Sequence, residues 1–573
     1  MNAERDTFAA QGGDDLERLD ASLRSRTRTP MARPGAFVAS ARGLRTTTGL
    51  EPYTGPWDTR HAEHLLRRST FAPTRELIAQ AAGMTLDAAV TALFAQQPAP
   101  PEPYGYGPSD PADQTSTRRI WAWSEYTPQI DFYYRNGLRT WWFDLMYTQG
   151  FSLREKMVLF WHNHFVSEFS VVNNAKLIHA QNMLLRNNAF GNFKQLARDI
   201  TIDPAMLIYL NGTDNTKTKP NENYARELQE LFTIGKGPEI ASGNYTFYTE
   251  HDVQQAARVL TGWRVNRLTG TSSFSSSLHD TSDKTFSSAY QNTVIKGETG
   301  GDGAKELDAL LDMIFTQNET ARFICRKLYR YFVYYDISAE VETTMIEPMA
   351  ALLRASNWDV RPVLEALLKS AHFHSDAALG CAIKHPVDFI IGALRQHEIA
   401  LVTPAQDQLQ ALNVRASLLV ASSMLQMDIF DPPSVAGWPA YYQVPQFAEL
   451  WINSATLPYR GGFSDSLIDS FRAGGIRIQA DVIALAKRVS DPSDPRVLIN
   501  ETSDFLYALQ LTTKQKDFIL TDVLLPGLPD YEWTVEWNDY IADPTNTAKR
   551  LAVQSKLAAL YKFLLRLAEY QLM

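Results

Sequence analysis

Between Pro220 and Gly235 the chain reads P-N-E-N-Y-A-R-E-L-Q-E-L-F-T-I-G, and its apolar residues Tyr224, Leu228, Leu231 and Phe232 recur at helical spacing. Pro220 before the first turn and Gly235 after the last mark the ends. The spacing predicts a helix packed on a core, and the same period returns along most of the sequence. Onto this helix are loaded Asn223, Glu227 and Glu230 at i, i+4 and i+7, projecting from one face, with Arg226 four residues before Glu230. Two acids and an amide beside a buried stripe need a cation or a hydrogen-bond network.

The fold class that follows is mainly α: a large multi-helix globular domain with a small irregular β insert near 263–300, where Ser and Thr crowd together and the helical period disappears. Residues 1–55 read as a flexible or docked N-terminal arm with a basic centre, 56–573 as one large helical domain, and 456–573 as its C-terminal helical portion. A stripe of Val553, Leu557, Leu560, Leu564 and Leu567 predicts a last helix docked on the body. Ser152 with Glu155, and Thr249 with Asp252, read as capping boxes. From Thr115 to Thr148 aromatics peak, including Trp121, Trp123, Tyr126, Phe132, Tyr133, Tyr134, Trp141 and Trp142. Core packing is the safer reading of these and a carbohydrate platform the sharper one.

Apolar residues at 45% and charged residues at 21% exclude disorder as the general state, and a formal charge of −9 over 573 residues is unhelpful for holding a polyanion. Nucleic acid is therefore not the expected main partner. Cys325 and Cys381 are too few for a disulfide framework or thiolate cage and read as buried thiols. No run approaches the roughly 20 apolar residues that span a bilayer. Met1 to Asp15 contains no apolar leader, so a soluble protein with a cytoplasmic location is the default expectation, with export as the passenger of a signal-bearing partner as the alternative. Phosphate-loop, dinucleotide, nucleophile-elbow and H-E-x-x-H motifs do not occur, which lowers the standing of nucleotide motors, Rossmann enzymes, serine hydrolases and zincins.

His162 and His164 are one residue apart, so on a regular helix they point about 200° apart and cannot face one ion. His162 alone is either a ligand or proton shuttle, or an interior histidine bonded to a carboxylate. Glu227 and Glu230 can share a divalent ion or divide acid and base roles, unless Arg226 draws them into a structural ion-pair network. His279, Asp280, Asp283 and Lys284 lie on an irregular loop where function concentrates, or where Asp280 simply makes a turn. His61 and His64, at i and i+3, could take a metal, but Glu63 and Arg67-Arg68 read as an ordinary polar face.

These residues carry a family resemblance. W-H-N-H-F at Trp161 to Phe165, the acidic helix, A-R-V-L-T-G-W at Ala257 to Trp263, H-L-L-R-R-S-T-F-A-P-T from His64, H-D-T-S-D-K from His279, K-H-P-V-D-F-I-I-G-A-L-R from Lys384 and D-P-P-S-V-A-G-W-P from Asp431 together resemble the bacterial family called domain of unknown function 1800, over about residues 60–455. The resemblance implies a mostly helical domain, often exported. It also implies a frequent companion of the domain of unknown function 1501 family, which looks like the alkaline-phosphatase and sulfatase superfamily.

The leading expectation is a metal-dependent or acid/base hydrolase-like enzyme on a polar polymer. In it Glu227, Glu230, His162 and Lys284 do the chemistry, Arg226, Asn223 and Trp263 hold substrate, and His162, Glu227, His279 and Asp280 hold a divalent metal ion as cofactor. The rival is a non-catalytic scaffold or assembly protein forming homo-oligomers or binding the companion, and a third idea is a glycan-binding module.

Overall fold

The computed structural model describes residues 48–105, 119–120 and 131–573. The basic centre of the N-terminal arm, Trp121, Trp123 and Tyr126, and the side chains of Phe132 and Tyr133 lie outside them. Helix makes up 58% of the structure, and strands occur among the described residues only as five antiparallel two-stranded ladders. This is the mainly α fold that the periodicity predicts. Its irregular insert is a hairpin pairing Trp263–Asn266 with Thr271–Phe274, then a ladder of Lys284–Thr285 with Val294–Ile295. Small ladders pairing 104–105 with 119–120, 239–241 with 244–245 and 471–473 with 476–478 carry no comparable signal in the spacing.

Buried apolar side chains join into one connected cluster running from Ala62 to Tyr570. The last long helix, Thr547–Arg566, buries Val553, Leu557, Leu560 and Leu564 against Thr456–Asp469, Val482–Ala486 and Tyr531–Ala542. Full burial of such a side chain contributes about 1.5–3 kcal/mol, enough to dock a helix whose own propensity would not keep it folded. Leu567, the fifth member of the stripe, is the half-buried C-cap. Trp141 and Trp142 are 3% and 0% exposed, so they belong to the core and not to a carbohydrate platform.

Of the two capping boxes, only the second forms: Thr249 and Asp252 bond each other's backbone N–H groups at the start of Glu250–Val259. Glu155 turns inward instead, 7% exposed, where it accepts from the Arg186 guanidinium and from Trp142 Nε1. A charge-assisted pair in the interior is worth more than a cap bond, and tertiary context wins.

The acidic segment is helical from Glu222–Glu227 and then widens into a π-turn, Leu228–Thr233. Thr233 Oγ1 donates to Leu228 O at 2.5 Å, Ile234 N to Gln229 O at 3.1 Å, and Gly235, at φ 76°, ends the segment as expected. The π-turn rests on Gln229, which is fully buried, donates to Ala225 O at 3.0 Å and accepts from Tyr290 at 2.9 Å. Such single turns re-aim side chains, and here the turn starts directly after Glu227 and includes Glu230.

Candidate functional site: an unpartnered carboxyl on the acidic helix

The helix Arg154–His164 splits its two histidines as the geometry requires. His162, 2% exposed, stands edge-on to Trp142, Phe430 and Trp438, with ring centroids 5.3, 5.4 and 5.8 Å away. Its Nε2 has no hydrogen-bond partner, and burial lowers its pKa to about 3, so the imidazole is neutral at physiological pH. Among the described residues neither a carboxylate nor a candidate metal-ligand group meets it. The bend at 431–439 closes this cage. Asn163 Oδ1 accepts from Trp438 N at 3.0 Å, and Gly437, at φ 94°, sits where any β-carbon would run into Asn163.

His164 points the other way. Its Nε2 donates to Phe232 O at 3.0 Å while Nδ1 accepts from Lys327 Nζ at 3.1 Å, and Lys327 also donates to Leu231 O at 2.9 Å. Burial, with Arg330 nearby, lowers the Lys327 pKa to about 7. Lys327 thus ties the end of the W-H-N-H-F helix to the last carbonyls of the acidic segment, where a cation is favoured. Nothing in the local sequence singles it out.

On the acidic helix the charged residues have different fates. Arg226 makes a two-pronged pair with Glu250, at 2.6 and 2.7 Å, and reaches Glu222 at 3.3 Å; it does not pair with Glu230. Glu230 receives Lys236 at 2.8 Å and the Tyr248 hydroxyl at 2.8 Å. Asn223 is exposed and donates weakly to Leu210 O at 3.4 Å. Glu227 is left half-buried with no hydrogen bond and no ion pair among the described residues, and burial first, then the neighbouring Glu230, pushes its pKa up to about 7. Close by, Tyr209 donates to Glu168 at 2.6 Å, and its hydroxyl is held in the protonated form by burial, by that bond and by the charge of Glu227.

The loop expected to join this site does not share a partner with it. His279, 1% exposed, faces Thr261 O at 2.9 Å and Glu306 Oε1 at 3.0 Å; Lys284, 0% exposed, faces Glu306 Oε2 at 2.5 Å. Asp280 pairs with Arg258 at 2.8 Å and accepts from Ser282, and these bonds outweigh its burial to hold its carboxyl well below the usual range. Trp263 is 8% exposed and packs on Phe274. Among the described residues no group of three or more His, Cys, Asp or Glu side chains is arranged to hold a metal ion, so the expected set of His162, Glu227, His279 and Asp280 does not come together. Each has its own neighbours, and the loop's His279 and Lys284 both turn to Glu306, a residue with no motif around it.

The double arginine is likewise not an ordinary polar face. Arg67 and Arg68 are each 2% exposed, and Arg67 donates to the carbonyls of Phe505, at 2.6 Å, and Leu506, at 3.3 Å, at the end of Pro495–Leu506. Glu63 beside it is pushed up to about 7 by burial, against the pull of Arg67 at 3.5 Å. It lines a cavity of about 230 Å³ with His64 and Asp504. Glu63 therefore resembles Glu227 in its proton affinity but not in its freedom, because a cation is bound to it.

No helix among the described residues is long and apolar enough to cross a membrane. No curated protein and no solved structure matches the chain. A family model described as a protein of unknown function does match, from residue 64 to residue 572, well past the stretch covered by the motifs. With nearly its whole length accounted for in this way, the chain belongs to the DUF1800 family.

Proposed function

We propose that this protein is an acid/base enzyme of the hydrolase type, with Glu227 as the group that transfers the proton and Glu230, tied to Lys236 and Tyr248, as its electrostatic counterpart. One observation carries the reading: Glu227 is a partly desolvated carboxyl with no partner and a pKa of about 7. A catalytic acid or base works best when its pKa lies near the operating pH, and two carboxyls whose surroundings separate them are the usual way to divide the roles. The exposed polar run 217–220 leads into this face, which suits a polar polymer or its fragments better than an apolar substrate.

The test is Glu227→Gln, assayed on a panel of polysaccharide, peptide and ester polymers. Activity is expected to fall at least about a hundredfold, and the wild-type pH profile to bend near pH 7. Stability supplies a second readout. The folded pKa of Glu227 lies above the free value of 4.5, so its ionisation opposes folding from about pH 4.5 upward and does so fully above pH 7. Allowing for its exposed part, Glu227→Gln should be more stable than wild type by about 1–2 kcal/mol at pH 8 and no different at pH 4.5. A variant with unchanged activity and unchanged stability at pH 8 would overturn the proposal.

A second reading, the scaffold, is favoured by Leu528, Tyr531 and Val535, which are 44%, 63% and 51% exposed along one helix and its approach. Sedimentation separates the two readings. A stable assembly lost in Val535→Asp supports the scaffold, and a monomer of 64.5 kDa at micromolar concentration removes its homotypic form.

A further inference from the structure

We propose that a cleft far along the chain from the acidic helix binds a small organic carboxylate with an apolar body. The cleft, about 540 Å³, lies between the start of the helix Arg75–Ala82, the turn 147–150 and the end of the helix Pro386–Gln396. That volume is in the range of small-molecule sites.

Its cationic end is unusual. Arg75 is half-buried and, among the described residues, has no hydrogen bond or ion pair; its guanidinium carbon lies 4.0 Å from the centre of the Phe505 ring. Arg395, 8% exposed, is braced through Nη1 by Tyr147 O at 3.0 Å and Gln149 O at 2.8 Å, while its Nε has no partner. Beside it, Gln149 is also 8% exposed and its Oε1 has no partner. The remaining charges of the cleft make no hydrogen bond or ion pair with these groups. Arg488 and Glu398 pair with each other at 2.7 Å, and Glu76 is turned to Thr74 and its own backbone at the helix start. Of the three arginines in the lining, Arg75 and Arg395 are therefore left to the cleft, while both of its carboxylates, Glu76 and Glu398, are committed elsewhere.

The same lining also carries apolar side chains, Leu77, Leu394 and Ile399. A guanidinium resting over an aromatic ring is restrained for forked bonding to a planar anion, and partial desolvation strengthens that bond. A ligand with a carboxylate at one end and a short hydrocarbon at the other suits both the cationic and the apolar part of this lining. Acetate or inorganic phosphate would use only the first.

The experiment is calorimetric titration of the full chain with hexanoate, acetate and inorganic phosphate at low salt. Hexanoate is expected to bind saturably at one site, at least tenfold more tightly than acetate or phosphate. In Arg75→Gln its affinity falls at least tenfold, with Arg75→Lys intermediate because it keeps the charge and loses the fork. Leu77→Asn provides the arm that does not touch the arginines: it weakens hexanoate and leaves acetate unchanged. Absence of saturable hexanoate binding overturns the proposal, as does equal binding by Arg75→Gln. Equal affinity for phosphate and hexanoate overturns the apolar body and with it the proposed ligand class.

Discussion

Asp388→Asn is expected to destabilise the protein by about 3–5 kcal/mol, read from the first cooperative transition in urea at pH 7.5. Asp388 is 2% exposed and Lys156 is 1% exposed, and the Lys156 ammonium bonds directly to the Asp388 carboxylate. His385 Nε2 lies 2.9 Å from the other oxygen, and His385 Nδ1 accepts from Asp388 N at 3.2 Å. Burial alone would raise the Asp388 pKa, but His385 and Lys156 outweigh it and hold the carboxyl at about 2. Asp388 is the carboxylate bonded to Lys156 in a neighbourhood that also contains Lys384 and Arg460, 4% and 0% exposed. Removing its charge leaves a buried ammonium without compensation, whereas Lys156→Met with Asp388→Leu removes both members and should recover most of the loss. A loss below about 1 kcal/mol in Asp388→Asn would show that the pair is not the anchor of this region.

That anchor gives the K-H-P-V-D-F motif its physical meaning. His385 caps the helix Pro386–Gln396 through Asp388 N, and Asp388 then reaches across to Lys156 on the helix Arg154–His164 that carries both His162 and His164. The motif positions the W-H-N-H-F helix, which in turn meets the acidic helix through His164 and Phe232 O. Chemistry at Glu227 would thus depend on a carboxylate that never approaches substrate.

What could be read from the sequence follows a physical boundary. Val553, Leu557, Leu560 and Leu564 announce a buried helix because their period is a local property, and Thr249 with Asp252 announces a cap because both partners lie within one turn. Ser152 with Glu155 has the same local form and fails, because Arg186, 31 residues further on, takes the carboxylate. Glu227 was legible as a carboxyl on a polar face. Its solitude was not, since that depends on Glu250 drawing Arg226 across 24 residues and on Lys236 choosing Glu230. Glu306 and Lys327 carried no signal at all: their importance comes from what they meet, and neither stands in a repeating pattern. Helix existence is a short-range property, whereas the partner of a buried charge is settled by the packed fold.

The same reasoning makes Glu306→Gln the second large effect. Glu306, 2% exposed, gathers Lys284 at 2.5 Å, His279 at 3.0 Å and the backbone N–H of Glu298 at 2.8 Å. An amide can keep the geometry of one or two of these contacts but not the charge, and Lys284 retains only the Asp280 carbonyl as a neutral acceptor. The expected cost is about 3–5 kcal/mol, because a fully buried ammonium loses its counter-ion. Since these partners all lie between His279 and Glu306, the loss should be local first: amide exchange across 276–298 should rise before the helices flanking it respond. Lys284→Met paired with Glu306→Leu should return the loop to near wild-type protection if charge compensation is the cause. If the single variant exchanges no faster than wild type and unfolds at the same urea concentration, the loop is held by its close-packed backbone alone. The buried triad would then be open to a role in chemistry, which its present geometry, with every group facing another, argues against.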